Sequence, residues 1–243
     1  METTTYVAQL HSPLFYAASE GTLIRTGEIL SSTALSYALG YSLGLLKKRY
    51  FLYGKEAYRH QYGELASTGL FVTDGVPLNL TYTEETFKST EYLSERSMTI
   101  IARGVFKILK DMNLDPDLKR KKAGIHKVRR YIGLAPGSKF SFTVWSREPL
   151  PDDLLLTMGI RRSGEVRLKK IANPKTVCLN LFMLHDVYGI PSARNDDEDA
   201  ISLIDIYDHA STLVRGSDYR DHHFLDVDVK FVEDVLVPQI MAT

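Results

Sequence analysis

Hydrophobic and polar residues alternate in several short segments of the chain, a pattern typical of half-buried β-strands. Segments of this kind, or short β-prone runs bounded by turns, are 5–10, 69–73, 128–134, 139–146, 154–158, 165–171 and 224–231. In 139–146, Phe140, Phe142 and Val144 alternate with a second set of side chains, so this strand should have two unlike faces. The pattern predicts a fold rich in antiparallel strands.

Helical spacing is clearest after Ser31 and Ser32, which belong to the residue types that cap helix N-termini. One face of the predicted helix collects Leu35, Ala38, Leu39, Leu43 and Leu46. A basic triplet, Lys47-Lys48-Arg49, follows at the predicted helix end, where cations interact favourably with the helix dipole. The polar segments 21–30, 82–95 and 113–122 are predicted to be loop-like or peripheral. The segments 98–108, 177–187 and 200–213 are compatible with a strand or a helix.

This mixture of elements predicts the α+β class. The chain has 243 residues, of which 44% are apolar, enough to bury a sizeable core in one elaborated domain over 1–243. It contains no run of about 18 apolar residues, so no membrane span is expected. A single cysteine, Cys178, and an N-terminus without a secretory pattern favour a cytoplasmic protein.

Charge is unevenly distributed along the chain although the net charge is zero. Between residues 96 and 147 there are thirteen Lys or Arg and three Asp; between residues 195 and 243 there are three Lys or Arg and twelve Asp or Glu. A basic surface suits a polyanion, and an acidic surface suits a basic partner subunit. We interpret 96–147 as a basic, RNA-facing insertion and 195–243 as an acidic C-terminal region. Ordinary solvated faces are the alternative interpretation of both.

The sequence contains no strong motif for catalysis or metal binding. It lacks a phosphate-binding loop, an H-E-x-x-H motif and paired cysteines. His222 and His223 lie near several aspartates, but neighbours in a strand point to opposite faces, which disfavours a shared metal. His126 lies among basic residues and suits either acid–base cleavage of RNA or a simple polar contact. No catalytic residue, metal or cofactor is therefore predicted.

The most informative feature of the residues themselves is a basic segment that runs into a predicted strand. The candidate RNA-binding residues in it are Lys119, Arg120, Lys121, Lys122, His126, Lys127, Arg129, Arg130 and Tyr131. In a strand, Lys127 and Arg129 would point to one side, about 7 Å apart, and could follow a phosphate backbone. Charge neutralisation would supply affinity, and Tyr131 would stack on a base. A solvated loop is the alternative for 119–122.

A second set of candidate RNA contacts lies near the N-terminus. The aromatic residues of this region suit the core or base stacking, with core packing as the default; they are Phe15, Tyr16, Tyr37 and Tyr41. The basic triplet would contact phosphates or cap its helix. The residues of this region that we predict to bind RNA are Tyr16, Tyr37, Lys47, Lys48 and Arg49.

Several short segments, taken in order, resemble a known family. The first two are Leu10-His11-Ser12-Pro13-Leu14-Phe15-Tyr16-Ala17 and Ala34-Leu35-Ser36-Tyr37-Ala38-Leu39-Gly40. Those that follow are 69–73, 134–140 and 154–170, the last around Met158-Gly159. In their order and spacing these segments resemble the Csc-one family, the Cas-five type subunit of subtype I-D CRISPR effector complexes. The resemblance touches most of the first 170 residues, and the region after Lys175 falls outside it.

The resemblance implies a RAMP-type fold with a ferredoxin-like βαββαβ core, elaborated by an inserted β-hairpin or thumb. It implies a non-catalytic subunit of the type I-D Cascade, a ribonucleoprotein complex of antiviral defence, that caps the 5′ handle of crRNA. The implied partners are the crRNA, the backbone subunit and the large subunit, with target DNA near the protospacer-adjacent motif as a further contact. No matched segment carries a catalytic residue.

Two other hypotheses remain open from the sequence. The chain could be a metal-independent endoribonuclease of repeat RNA, with His126 or His223 as acid or base and Tyr131 assisting. It could also be a protein scaffold whose acidic C-terminal region docks basic subunits and whose basic segment is incidental.

Overall fold

Antiparallel strands make up most of the regular structure in the computed structural model of the chain. The structure describes residues 1–16, 23–47, 62–89, 127–159, 164–193, 201–211, 215–216 and 222–242. The strands in this part are β1 (Glu2–Leu10), β2 (Leu23–Arg25), β3 (Leu70–Val72), β4 (Val76–Asn79), β5 (Tyr82–Ser89), β6 (Lys127–Leu134), β7 (Lys139–Ser146), β8 (Asp153–Met158), β9 (Gly164–Ile171), β10 (Thr176–Asn180), β11 (Arg215–Gly216) and β12 (His223–Asp228). The helices are α1 (Ser32–Ser42), α2 (Gly63–Ala66), α3 (Leu203–Asp208), a π-helical turn (Met183–Val187) and a C-terminal helix composed of Val229–Phe231, a π-helical stretch Val232–Leu236 and Val237–Ala242.

The middle of the largest sheet is β1. The strand order is β3-β7-β1-β9-β8, with β4 also beside β7, and every neighbouring pair is antiparallel. Tyr6, Ala8 and Leu10 alternate toward one face and are buried there. Leu35 and Leu39 of α1 are also fully buried and belong to the same apolar cluster. The mixed class, the antiparallel sheet and the apolar face of the first helix are therefore confirmed.

Helix α1 begins where the sequence predicts it but ends earlier. Ser31 makes no side-chain cap; instead, Oδ1 of Asp74 accepts a hydrogen bond from the N–H of Ser32 at 2.7 Å. Ser31 therefore occupies the predicted N-cap position, but the side chain that accepts from the helix start belongs to Asp74, 42 residues from Ser32. At the other end the helix stops at Ser42, and Gly44 follows with a φ of 73°, a left-handed conformation that glycine adopts without strain.

The residues after β9 form a C-terminal unit around a second sheet, β10-β12-β11. Its apolar cluster includes Val227 of β12 together with Val232 and Leu236 of the C-terminal helix, all fully buried. Phe71 of β3 and Trp145 of β7 extend into this cluster, with ring centroids 5.6 Å apart. Strands of the central sheet thus contribute side chains to the core of the C-terminal unit.

A third, small sheet, β2-β6-β5, is attached near the end of β1 through Leu14. Leu14 and Leu134 exchange two backbone hydrogen bonds of 2.9 Å. The ring of Phe15 lies against Gly133, where an added Cβ would be only 2.4 Å from the ring carbons. A residue without a side chain is needed at this position, so the base of the β5–β6 pair is closely packed against the chain that follows β1.

Six of the seven predicted strands are confirmed. The seventh is shorter than predicted, and one strand was missed, each for a local reason. The segment 82–95, predicted to be loop-like, contains β5, which pairs with β6 along its whole length. Its described side chains from Tyr82 to Thr86 are mostly exposed, so no apolar alternation marks it as a strand. The predicted strand 224–231 ends at Asp228, whose side chain accepts a hydrogen bond from the N–H of Lys230 and starts the C-terminal helix.

The undecided segments resolve into short elements where the structure describes them. The apolar run 177–187 is a strand followed by a π-helical turn, 200–213 contains α3, and the predicted loop 21–30 contains β2. The segments 98–108 and 113–122 lie outside the described residues. The basic interval 96–147 ends in β7 of the central sheet, whose Phe140 and Val144 are fully buried. Its interpretation as an RNA-facing insertion stays a prediction.

Candidate nucleic-acid interface

The strand that carries the predicted basic residues, β6, lies in the middle of the small sheet. On one side Lys127 pairs with Ser89 and Arg129 pairs with Phe87 of β5. On the other side β2 runs parallel to residues 130–132. The backbone of this basic strand is therefore held between two neighbours over part of its length, which confirms the strand predicted at 128–134.

Arg130 is exposed on this strand and makes a surface ion pair. Its side chain is 61% exposed, and its Nε donates a hydrogen bond of 2.6 Å to Oε1 of Glu84 on β5. Exposed ion pairs of this kind contribute little to stability, since solvent screens both charges. The guanidinium of Arg130 can therefore exchange the carboxylate for a phosphate at small energetic cost.

Beside β6 the structure brings together an exposed cation and an exposed aromatic ring that the sequence did not pair. The guanidinium carbon of Arg25 lies 5.9 Å from the ring centroid of Tyr82, and Arg25 pairs with Ile132 of β6. The Tyr82 ring is 40% exposed, and its hydroxyl donates to Glu28 at 3.3 Å. Both Arg25 and Tyr82 fell in segments predicted to be loops, so no local pattern identified them as neighbours of the basic strand.

Two of the predicted aromatic contacts, Tyr16 and Tyr131, have packing roles at the base of the small sheet. The Tyr131 ring meets Phe15 edge-on, with centroids 6.4 Å apart and planes at 84°. The single Tyr16 hydroxyl proton is shared between the carbonyl oxygens of Gly27 and Ile29, which lie 2.8 and 2.9 Å from the hydroxyl oxygen. Both residues are half-buried. Base stacking by either ring stays a prediction.

Tyr37 lies in a different cluster from the β6 residues. Its ring stacks on Tyr41, with centroids 6.0 Å apart, and packs against an apolar cluster that contains Leu65 and Met183. Burial, followed by the nearby Glu64 carboxylate, raises the pKa of the Tyr37 phenol well above its usual range. The structure therefore gives Tyr37 a packing role between α1 and the elements that follow it.

Lys47 is exposed but does not lie at a helix end. Because α1 stops at Ser42, four residues separate the last helical residue from Lys47. The predicted interaction of the basic triplet with the α1 dipole is therefore wrong for Lys47. Phosphate contact by Lys47 stays a prediction.

The remaining predicted RNA-binding residues fall into two groups. Only the backbone pairing of Lys127 and Arg129 is described. The residues outside the described part are Lys48, Arg49, Lys119, Arg120, Lys121, Lys122 and His126. Their assignment as RNA contacts stays a prediction from the sequence.

The sheet face opposite α1 carries a further group of cations that sequence reasoning missed. Lys139 and Arg167 both pair with Gln9, one from each side, so the three residues form a row across β7, β1 and β9. Arg167 also makes a two-pronged ion pair with Asp153, and its hydrogen bond holds the pKa of Asp153 below the usual range. The Asp153 carboxylate therefore offsets part of the positive charge of this row. The alternation of charged and apolar residues in 165–168 is the sequence signal from which the exposed position of Arg167 could have been predicted.

Comparison with known families identifies the chain. The family profile described as "Type I-D CRISPR-associated protein Cas5/Csc1" matches residues 1–219. The chain belongs to this family. The match confirms the resemblance to the Csc-one family and extends beyond Lys175, where no sequence segment had suggested it.

Other comparisons add little to this assignment of the Cas5/Csc1 chain. No curated protein sequence matches it. One similar solved structure is a chain from "Cryo-EM structure of the Type III-B Cmr-beta bound to cognate target RNA and AMPPnP, state 1". That chain is 10% identical, the alignment covers 92% of the Cas5/Csc1 chain and 83% of the other, and the TM-score is 0.39.

The histidine pair of the Cas5/Csc1 chain is divided between two environments. Nδ1 of His222 lies 2.7 Å from Nδ2 of Asn180, and its ring stacks on Phe182 at 4.7 Å. His223, the first residue of β12, is exposed.

Within the described ranges, no three His, Cys, Asp or Glu residues are grouped as metal ligands. In the same ranges no helix is long and apolar enough to cross a membrane. Cys178 is buried, as expected for a structural thiol.

Proposed function

We propose that this Cas5/Csc1 chain is a non-catalytic subunit of the type I-D CRISPR effector complex that binds and caps the 5′ handle of crRNA. The observation that carries the proposal is the β5–β6 pair, which runs in register as far as Ser89 and Lys127. It places Lys127, Arg129 and Arg130, the last part of the basic segment, on strand β6. Family membership supports the type of complex.

We propose further that the central sheet is a modified ferredoxin-like core of the RAMP type. A ferredoxin-like βαββαβ unit has its four strands in the order 4-1-3-2, all antiparallel. The first to fourth strands of this unit would be β1, the β3/β4 edge, β7 and β9. Their order in the sheet, β9-β1-β7-β3, agrees with 4-1-3-2, and α1 follows β1. The second crossover helix has no counterpart among the described residues, and β8 occupies the connection from β7 to β9.

The charges around the β5–β6 pair support RNA as its ligand. Single-stranded RNA is held by cations that track the backbone and by aromatic rings that stack on bases. Arg130 supplies an exposed cation, and the Arg25–Tyr82 pair supplies a second cation beside an exposed ring. The adjacent segment 119–122 has four consecutive basic residues. Lys127 and Arg129 add two more cations to this strand.

We infer that the protein neighbours are the backbone and large subunits of the complex, and that target DNA near the protospacer-adjacent motif approaches the chain. Separation of the charge supports this arrangement, because the basic interval and the acidic C-terminal region suit different partners. The chain would act in the cytoplasm, within a ribonucleoprotein of antiviral defence.

Replacing Lys121 and Arg129 together by glutamate should weaken binding of a labelled RNA that carries the 5′ handle. Each phosphate that a cation neutralises adds about 0.7 to the slope of log affinity against log salt for a single strand, so the double substitution should reduce that slope by about 1.4. The measurement is fluorescence anisotropy with the purified full-length chain at several salt concentrations.

The matched control exchanges Lys175 and Lys230 for glutamate. Both lysines are exposed and lie in the C-terminal unit, away from β6. Because two cations are again replaced by glutamate, this variant has the same net charge as the test variant. It should bind the handle RNA with nearly the wild-type salt slope. Equal slopes for the wild type and the Lys121→Glu, Arg129→Glu variant would contradict the assignment of the basic segment as the RNA site.

The purified chain should leave repeat RNA intact for hours in buffer that contains EDTA. The physical reason is that no segment that resembles the family contains a catalytic residue, and that His223, the candidate within the described residues, is exposed at the start of β12. Gel electrophoresis of end-labelled RNA checks this result. Specific cleavage that survives EDTA and disappears in His126→Ala would establish the endoribonuclease alternative instead.

A further inference from the structure

Two helical segments of the C-terminal unit lie side by side on its surface. At one end, the N–H of Ile201 donates to Oε1 of Gln239 at 3.1 Å. At the other end, the ring of His209 stacks on Phe231, with centroids 4.1 Å apart. Helix α3 runs between Ile201 and His209, and the C-terminal helix runs between Phe231 and Gln239. The two segments are therefore antiparallel neighbours, with the middle of α3 alongside Val235.

The outer surface of this helical pair exposes large apolar side chains. Ile204 is 54% exposed, Tyr207 is 45% exposed and Val235 is 38% exposed. Ile204 and Tyr207 are three residues apart, so they lie on one face of α3. The inner sides of the same segments are fully buried in the apolar cluster, as Ile206 and Leu236 show. The fold therefore has a separate apolar core beneath an outward-facing apolar group.

Acidic side chains accompany this exposed apolar group. Asp208 at the end of α3 and Asp234 beside Val235 are both exposed. Two other carboxylates in these segments already have partners, because Asp205 closes the capping box of α3 and Glu233 accepts a hydrogen bond from Thr3. The exposed carboxylates thus lie next to the apolar side chains, and the segment 196–199 that precedes α3 in the sequence is acidic throughout.

We infer that this acidic helical face, defined by Ile204, Tyr207, Asp208, Asp234 and Val235, docks a protein subunit that presents lysine or arginine around an apolar patch. Exposed apolar side chains that cluster in this way mark interaction sites. Negative charge disfavours RNA or DNA as the occupant and favours a basic protein surface. An exposed tyrosine such as Tyr207 is suited to be an anchor of such an interface. The inference rests on the proposed role as a subunit of a larger complex.

Two variants separate the contributions of shape and charge. The apolar variant combines Ile204→Ser with Tyr207→Ser, and the charge variant combines Asp208→Lys with Asp234→Lys. The matched control for the first is Leu78→Ser with Leu155→Ser, since both leucines are more than half exposed on other elements. The control for the second is Asp152→Lys with Glu165→Lys, which makes the same change in net charge. The Asp152 side chain, just before β8, is 83% exposed, and Glu165 is exposed on β9.

The experiment uses the complete complex, co-expressed with its guide RNA and purified through a tag on another subunit. Carbodiimide crosslinking, which joins carboxylates directly to lysines, is followed by mass spectrometry, and native mass spectrometry counts the subunits. We expect crosslinks from Asp208 or Asp234 to lysines of one partner subunit. In a dilution series, both variants should weaken retention of this chain by roughly tenfold or more, whereas the controls should not.

Three results would overturn the inference: crosslinks from these aspartates to a second copy of this chain, no such crosslinks to any subunit, or full retention of both variants. Circular dichroism of each variant verifies that the fold persists. The guide RNA bound to this chain is quantified in the same preparations by ultraviolet crosslinking. Absence of that RNA contact in the wild-type complex would count against the proposed RNA role, while loss of the partner from the variants with the RNA contact retained supports the docking surface.

Discussion

Replacing Phe71 by alanine should lower the free energy of unfolding by about 3–5 kcal/mol, the cost typical of removing a buried phenylalanine. Phe71 is 1% exposed and lies against Trp145, with ring centroids 5.6 Å apart, and against Tyr188, at 5.3 Å. Its loss would open a cavity where the central sheet joins the core of the C-terminal unit. The measurement is urea denaturation of the purified chain, followed by tryptophan fluorescence.

The protein contains its own probe for this experiment. Trp145 is the only tryptophan, and it is fully buried beside Phe71. Unfolding exposes this indole to water, so its emission shifts to longer wavelength. Leu78→Ala is the control, because Leu78 is 58% exposed and surface changes usually alter stability by no more than about 0.5 kcal/mol. A loss below about 1 kcal/mol for Phe71→Ala would show that the two cores do not depend on this contact.

The second large effect is expected from Asp74→Asn and depends on pH. Burial raises the pKa of Asp74 from 3.8 to about 7, although the N–H of Ser32 partly offsets this by hydrogen bonding. The native state then holds the Asp74 proton more tightly than the unfolded state does. Between about pH 4 and pH 7 the contribution of Asp74 to the free energy of unfolding therefore falls as pH rises.

Asparagine keeps an oxygen that can accept the Ser32 N–H but cannot ionise. A shift of about three pKa units at about 1.4 kcal/mol each corresponds to about 4 kcal/mol. The variant and the wild type should have similar stability near pH 4, and the variant should be the more stable by up to about 4 kcal/mol at pH 8. Urea denaturation at these two pH values measures the difference.

Asp152→Asn provides the comparison for a carboxylate outside the core. The Asp152 side chain is 83% exposed, so its replacement should leave the pH dependence of stability unchanged. If Asp74→Asn and the wild type lose stability equally between pH 4 and pH 8, Asp74 is not the group responsible. A variant less stable than the wild type at pH 8 would mean that the charged carboxylate stabilises the start of α1.

Local alternation was sufficient to predict strands wherever one face of a strand is buried. In β7 and β9 the apolar residues repeat every second position, and both strands were found where the pattern placed them. The same rule missed β5, because its described side chains are mostly exposed and give no alternating signal. It also extended β12 too far, since residues 229–231 continue the mixed pattern inside a helix.

The candidate site was predictable only in part. A strand at 128–134 with a basic N-terminal end could be recognised from composition and β-propensity, and β6 confirms it. The contact of Arg25 with Tyr82 and the row of Lys139, Gln9 and Arg167 could not, because each joins residues far apart in the sequence. Such neighbours depend on strand order, which the alternation within a strand does not specify.

The sequence by itself determined the mixed class, the first helix, most strands of the central sheet, the separation of charge and the family. These properties follow from residue periodicity, composition and ordered motifs, all of which are local or additive along the chain. Only the tertiary structure decided that Asp74 caps α1, that Phe71 and Trp145 join two cores, and that Tyr16 and Tyr37 pack within the fold. The reason is physical: burial and hydrogen bonding at these positions come from strands and helices distant in sequence, so no local pattern encodes them.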